Sequence, residues 1–186
     1  MKGNILQNLS EFRLPKGFRG RSPFIVQLWW IVQATLFAWS PQFLYRWRCF
    51  LLRCFGAKIG KHVIIRPSVV VTYPWKLTIG DYAWVGDNVE LYTLGPISIG
   101  TNAVVSQGSY LCTGSHDYQS QAFDIYAQSI VVEDEAWVAT DVYIAPGVII
   151  GKGAVIGARS SVFKSMPSNM ICLGSPAKPV KPRIDK

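Results

Sequence analysis

From Ile59 onward, aliphatic residues recur every sixth position. Stepping by six from Val132 lands on Val138, Ile144, Ile150, Ile156 and Val162 without a miss. Four residues beyond each ladder position stand Ala136, Val142, Val148, Ala154, Ser160 and Met166, and Ala139, Ala145, Gly151 and Gly157 directly follow ladder residues. Earlier stretches repeat the pattern as Ile59 and Ile65, then Ile79, Val85 and Leu91, then Ile99, Val105 and Leu111. A helix cannot present every sixth residue to one side, because six steps of 100° leave the side chain about 120° from its target. A solenoid with three short strands per turn can. Each aliphatic residue then stacks on its equivalent about 18 residues later inside a triangular prism, with small residues at the tight corners.

The ladder breaks once on a large scale. After Leu111 the next ladder residue falls due at position 117 but appears only at Val132, so the stretch between is an insertion. It forms a loop over 115–129, SHDYQSQAFDIYAQS. That loop must leave the solenoid surface, where scaffold loops often carry chemistry. A smaller slip occurs near Gly95 and Pro96, between Ile79 and Ile99, and Pro74 marks a similar kink.

Before the ladder the pattern is helical. A first helix is predicted over Pro23–Trp39; Ser40 and Pro41 then read as N-cap and first position of a second, which Gly56 stops. The uncharged run Phe24–Trp39 is short for a bilayer span of ~20 residues, so a buried or interfacial helix is expected. On the second helix Gln42, Arg46 and Arg53 share one face, and Leu44, Trp47, Leu51 and Phe55 the other. Such a basic amphipathic helix either caps the open end of the solenoid or lies on a membrane surface, and different faces can do both. The organisation is therefore a helical segment over 1–58, a β-solenoid over 59–167 and a C-terminal cap over 168–186.

Charge sharpens this division. The chain of 186 residues carries a net charge of +8, and residues 1–58 hold nine basic side chains, Lys2 among them, against Glu11 alone. Residues 59–186 balance ten against ten. A local anionic partner is implied, whether membrane surface, nucleotide or acidic protein; nucleic acid is disfavoured because the basic residues alternate with long apolar runs. With 49% apolar and 16% charged residues the chain builds a real core. Cys49, Cys54, Cys112 and Cys172 follow no metal or disulfide spacing and read as reduced thiols. The two histidines, His62 and His116, are too few for a three-histidine zinc site, so no metal is expected. His62 falls on a solvent-facing position, whereas His116 stands at the root of the long loop.

The repeats, the GSHDY of Gly114–Tyr118, the segment EAWVATDVYIAPGVIIGKGAVIGA of Glu135–Ala158 and the ending SVFKSMPSNMICLGSPAK together resemble the hexapeptide-repeat O-acetyltransferases. The opening PKGFRG, VQLWWIVQATLFAWSP, LYRWR and FGAKIG, with TYPWKLTIGDYAWVGD, is similar to the branch of that family that serves colanic acid biosynthesis in enteric bacteria. The resemblance implies an all-β fold, a left-handed parallel β-helix with an N-terminal helical segment and one long catalytic loop. It further implies a homotrimer with sites between subunits, acetyl-CoA as co-substrate, and His116 as general base. Asn88 matches an acceptor-contacting asparagine and Trp137 a cleft tryptophan; each also fits a plain repeat corner or loop-root packing. Thr140, Ala158 and Lys164 match positions that touch acetyl-CoA; Lys178 and Lys181 either serve its nucleotide end or form a solvated tail. Asp117 is an alternative partner for His116 or the substrate, ranked below a backbone carbonyl as the group orienting the imidazole. Phe163 stands where relatives often carry threonine, and the tryptophan-rich opening replaces their polar helical one, so the acceptor pocket is not transferable.

The resemblance thus implies acetylation of a sugar, with fucose favoured, in an exopolysaccharide repeat unit of colanic acid type. The acceptor would be a sugar or lipid-linked oligosaccharide at the cytoplasmic face, the protein being cytoplasmic with peripheral contact to anionic inner membrane. An acyl carrier protein as donor and a non-catalytic β-helical scaffold are the alternative readings.

Overall fold

The computed structural model describes residues 6–184; Lys2 lies outside them. From Lys58 the chain winds through three faces in turn, each a stack of two- to three-residue parallel strands. Face 1 stacks Lys58–Ile59, Leu77–Ile79, Ile97–Ile99, Ile130–Val132 and Ile149–Ile150. Face 2 stacks Ile64–Ile65, Trp84–Val85, Val104–Val105, Trp137–Val138 and Val155–Ile156, then ends in the antiparallel pair Met170–Gly174 and Ala177–Pro182. Face 3 stacks Val70–Val71, Glu90–Tyr92, Tyr110–Cys112, Tyr143–Ile144 and Ser161–Val162. The expected β-helix is there. Ladder residues point inward from all three faces and are almost wholly buried from Ile65 to Val162.

The rung spacing departs from uniformity in an informative way. Val132 pairs with Ile150 and Ile144 with Val162, the regular step of three hexads. Ile59 pairs with Ile79, and Ile79 with Ile99, each a slightly longer step. Across the insertion Ile99 pairs with Val132. Every extra residue sits on the edge between faces 3 and 1. There Thr93 and Thr113 make the longer corners possible: the Thr93 hydroxyl accepts from Tyr73 N–H and donates to Tyr73 C=O, and Thr113 Oγ1 accepts from Gly95 N–H and donates to Tyr92 C=O. These buried hydroxyls satisfy backbone groups that the ladder leaves behind. The edge between faces 1 and 2 is tight instead. A Cβ added to Gly80 would lie 2.6 Å from Thr101 N, so only glycine lets the rungs approach there.

The open edge of the first rung is covered by two helices, α1 (Pro23–Val32) and α2 (Tyr45–Cys54), with a single π-turn, Gln33–Phe37, extending α1. The expected start of the second helix at Pro41 is corrected to Tyr45: Pro41 instead opens a turn closed by Leu44 N–H to Pro41 C=O, and Ser40 Oγ donates back to Phe37 C=O. The expected division of its faces holds for Arg46, Arg53, Leu51 and Phe55 and is revised for Leu44 and Trp47. Arg48, Cys49, Leu51 and Leu52 are buried against the solenoid, while Leu44, Trp47 and Phe50 face outward with Arg46 and Arg53. The reason is hydrogen-bonding. A strand edge offers unpaired carbonyls, and an arginine fork answers them better than leucine. Arg48 Nε donates to Ile65 C=O at 2.7 Å, Arg53 reaches the carbonyls of Ile59 and Gly60, and Trp29 Nε1 donates to Val71 C=O.

Candidate active site

The inserted segment is an antiparallel hairpin, Gly114–His116 against Ile125–Ala127, leaving the prism at the edge between faces 3 and 1. Its base is anchored by apolar packing: Ile125 and Ala127 lie against Leu94, Tyr73 and Val26, beside Phe18. His116 is the last residue of the outgoing strand and is half-buried. Its Nδ1 lies 2.7 Å from the carbonyl oxygen of Phe123, and its ring stacks on the Phe123 ring with centroids 4.2 Å apart and planes 8° from parallel. A carbonyl only accepts, so Nδ1 carries the proton and Nε2 of the neutral ring keeps its lone pair. Phe123 holds a positive φ of 54°, which turns both its carbonyl and its ring onto one imidazole.

Asp117 does not share this arrangement. Its Oδ1 accepts from Gln119 N–H, stabilising the hairpin tip, and the backbone carbonyl of Phe123 orients the histidine instead. The N-terminal arm adds a contact that sequence reasoning missed. Asn8 N–H donates to Gln121 C=O, and the Phe12 ring lies 5.8 Å from that of His116. Phe12 is remote from the hairpin in the chain, outside any repeat, and offers no periodic signal. His62 is exposed, stacked on Tyr82.

The residues matched to the coenzyme and acceptor gather elsewhere. Asn88, Thr140 and Ala158 occupy the edge between faces 2 and 3 in the second, fourth and fifth rungs; Asn88 sits in left-handed conformation with φ 55°, its N–H bonded to Ser68 Oγ. Thr140 Oγ1 donates to Gln107 C=O, and Ala158 is exposed one rung below. Beside this edge a groove of about 600 Å³ runs across face 2, lined by Trp84, Trp137, Ser106, Gln107 and Arg183 among others. Trp137 Nε1 donates to Ser106 Oγ, which fixes the indole as one wall. Trp84 is the other large wall and was not anticipated, although Ala83-Trp84-Val85 repeats Ala136-Trp137-Val138. Lys178 and Lys181 are exposed on the last strand of face 2, while Lys164 follows the last strand of face 3.

His116 and this edge stand at opposite ends of the strands of face 3. The surface between them is aromatic: Tyr92, Tyr110, Tyr143 and Phe163 form a column with neighbouring centroids 5.8 to 6.0 Å apart. Burial and the Cys112 thiol push the Tyr110 hydroxyl well above its ordinary value, and the same causes push Tyr143 up to about 12. Among the described residues no three His, Cys, Asp or Glu side chains converge as a metal site.

Comparison with known proteins adds the lineage. Residues 129–164 match the family model described as bacterial transferase hexapeptide (six repeats), and 76–112 that of the hexapeptide repeat of succinyl-transferase. The chain is 66% identical over 180 residues to the putative colanic acid biosynthesis acetyltransferase WcaF of Escherichia coli, covering 97% of this chain and 99% of that one. The chain belongs to the hexapeptide-repeat acetyltransferases. This acetyltransferase also shares its fold with a maltose O-acetyltransferase from Clostridium difficile, with a TM-score of 0.80, 23% identity and coverage of 89% and 90%. A galactoside acetyltransferase solved with coenzyme A superposes with a TM-score of 0.79 at 23% identity, covering 91% and 84%.

Proposed function

We propose that the protein transfers an acetyl group from acetyl-CoA to a hydroxyl of a sugar, fucose being the favoured acceptor, within an exopolysaccharide repeat unit of colanic acid type. The observation that carries the chemistry is the His116–Phe123 pair: a half-buried imidazole with Nδ1–H held by a carbonyl, which leaves Nε2 as the accepting nitrogen. In this reading Nε2 takes the proton as the sugar oxygen attacks the thioester carbonyl. The C–S bond then breaks, and the imidazolium returns the proton to the departing coenzyme A sulfur.

The donor would lie along the edge that carries Thr140 and Ala158, its pantetheine arm passing the small side chain of Ala158 beside Trp137, with Lys178, Lys181 and Lys164 toward the phosphates. Asn88, on the same edge, would meet the acceptor. Because His116 leaves from the far side of face 3, one copy does not close the site on itself. The hairpin of one subunit would face the edge of the next, and three copies around an axis close three such clefts. The acceptor would be presented on lipid at the inner face of the cytoplasmic membrane.

Complementation tests the shared site. His116→Ala and Ala158→Trp subunits should each be inactive with acetyl-CoA and a fucosyl acceptor, while co-refolded mixtures regain activity at clefts with one intact contribution from each. Mixed assemblies without regained activity would refute the shared cleft. A folded His116→Ala protein with near-normal turnover would refute the base, since such catalysis is worth ~10² to 10⁴ in rate.

A further inference from the structure

The cap that covers the first rung has a second side. Its inner side, Arg48, Leu51, Leu52 and Trp29, is consumed by the solenoid. Its outer side carries Phe24 and Ile31 on α1, then Leu36, Trp39, Phe43 and Phe50, all exposed. Trp39 is 85% exposed and Phe43 75%, among the highest values for large apolar side chains in the molecule. The part from Leu36 to Phe50 is continuous. Trp47 donates from Nε1 to Leu36 C=O and stacks on Phe50, and a shallow groove joins Leu36, Trp39, Pro41 and Leu44. A soluble monomer rarely exposes apolar side chains in such a run without an occupant.

Charge identifies the occupant. No residue from Ser22 to Tyr45 is charged, and no carboxylate occurs between Glu11 and Asp81. Exposed Arg46, Arg53 and Lys61 line the groove beside Trp47 and Phe50, and Arg21 directly precedes the uncharged run in the chain. Exposed aromatic side chains beside a rim in which basic groups outnumber the one carboxylate there, Asp81 at the Lys61 turn, match a bilayer interface, where indole and phenyl rings enter the headgroup boundary and basic groups meet lipid phosphates. No helix among the described residues is long and apolar enough to cross a membrane. We propose that this outer side of the cap docks onto an anionic lipid bilayer as a monotopic anchor, with Trp39 and Phe43 as the inserted residues. The prism axis then stands away from the membrane. This deepens the reading of a lipid-carried acceptor and rests on it for its purpose, although the docking itself needs no substrate.

The test is sedimentation of the full chain with two kinds of vesicle, without substrates: phosphatidylcholine alone, and phosphatidylcholine with one lipid in three replaced by phosphatidylglycerol. Binding is expected to the anionic vesicles and to weaken as salt rises. Trp39→Ser with Phe43→Ser should abolish it. Arg46→Glu with Lys61→Glu should weaken it at least twentyfold, from about fivefold per basic residue. Both variants should keep the wild-type melting temperature and turnover on a water-soluble fucoside. Binding unchanged in both double variants, equal binding to neutral vesicles, or no binding to either vesicle would overturn the proposal. So would a size change of the assembly in the Trp39/Phe43 variant, which would make the patch a contact between copies. Loss of turnover on the soluble acceptor in His116→Ala reports on the catalytic reading alone.

Discussion

Arg48→Met isolates what a buried cation without a carboxylate partner does for the cap. The Arg48 side chain is fully buried and its guanidinium donates to four neutral acceptors: Ile65 C=O at 2.7 Å, Ser40 Oγ at 2.8 Å, Pro41 C=O at 2.9 Å and Gln42 C=O at 2.6 Å. Burial pulls its pKa downward, with Tyr45, as the next largest influence, opposing. Methionine preserves most of the stem volume but supplies no donor. Of the four acceptors, the exposed turn residues Pro41 and Gln42 can recover water, whereas the Ile65 carbonyl lies beneath the helix and cannot. One stranded carbonyl costs ~1–3 kcal/mol and the three partly rehydrated acceptors add less, so a loss of about 3 kcal/mol follows. At about 2–4 °C per kcal/mol for a chain of this size, the melting temperature should fall by roughly 6–12 °C. Arg48→Lys should fall between, since one ammonium cannot span all four acceptors. The measurement is thermal unfolding by circular dichroism at fixed protein concentration. An Arg48→Met midpoint within about 2 °C of wild type, inside the smallest shift that one kcal/mol gives, would show that the first rung is sealed by apolar packing alone.

Three further outcomes follow from the geometry. With His116 as the proposed base, Phe123→Ala should lower kcat by roughly 10- to 100-fold with the acetyl-CoA KM unchanged, and Phe123→Tyr should restore most of it, because the ring stacks on the imidazole and holds it; steady-state kinetics decides. Tyr143, pushed up to about 12 in the fold against an ordinary value near 10, contributes stability present below pH ~10 and lost as pH rises toward 12, so urea midpoints should drop across that window and drop less in Tyr143→Phe. Gly80→Ala should destabilise by roughly 1–3 kcal/mol in chemical denaturation, since the methyl meets the backbone of Gly100 and Thr101, which cannot give way as the Thr101 hydroxyl can.

Much of the solenoid was legible because its period is strict. Each of Val132, Val138, Ile144, Ile150, Ile156 and Val162 is wholly buried, and the length of the insertion followed from where the ladder failed. The cap was legible in outline only. Ser40-Pro41 reads locally as a helix start, yet Arg48 draws the Ser40 hydroxyl and the Pro41 and Gln42 carbonyls to itself, and tertiary hydrogen bonds defer the helix to Tyr45. Helical period placed Arg46 and Arg53 outside and Leu51 inside, as found, but put Leu44 and Trp47 inward and said nothing of Arg48, because hydrophobicity does not register that a strand edge needs donors. At the candidate site His116 stood out by its place on the loop. Phe12 and Phe123 did not, since one depends on how an irregular arm folds back and the other on a left-handed backbone that its residue type does not announce.

The corner where faces 3 and 1 meet receives every departure from regular winding: the short turn Pro74–Lys76, the longer bend at Gly95 and Pro96, and the hairpin itself. Segments exchanged at that corner leave the stacked rungs and the opposite edge in place. Whatever grows from that one corner, His116 included, is free to vary in length and sequence while the stacked core beneath it keeps its register.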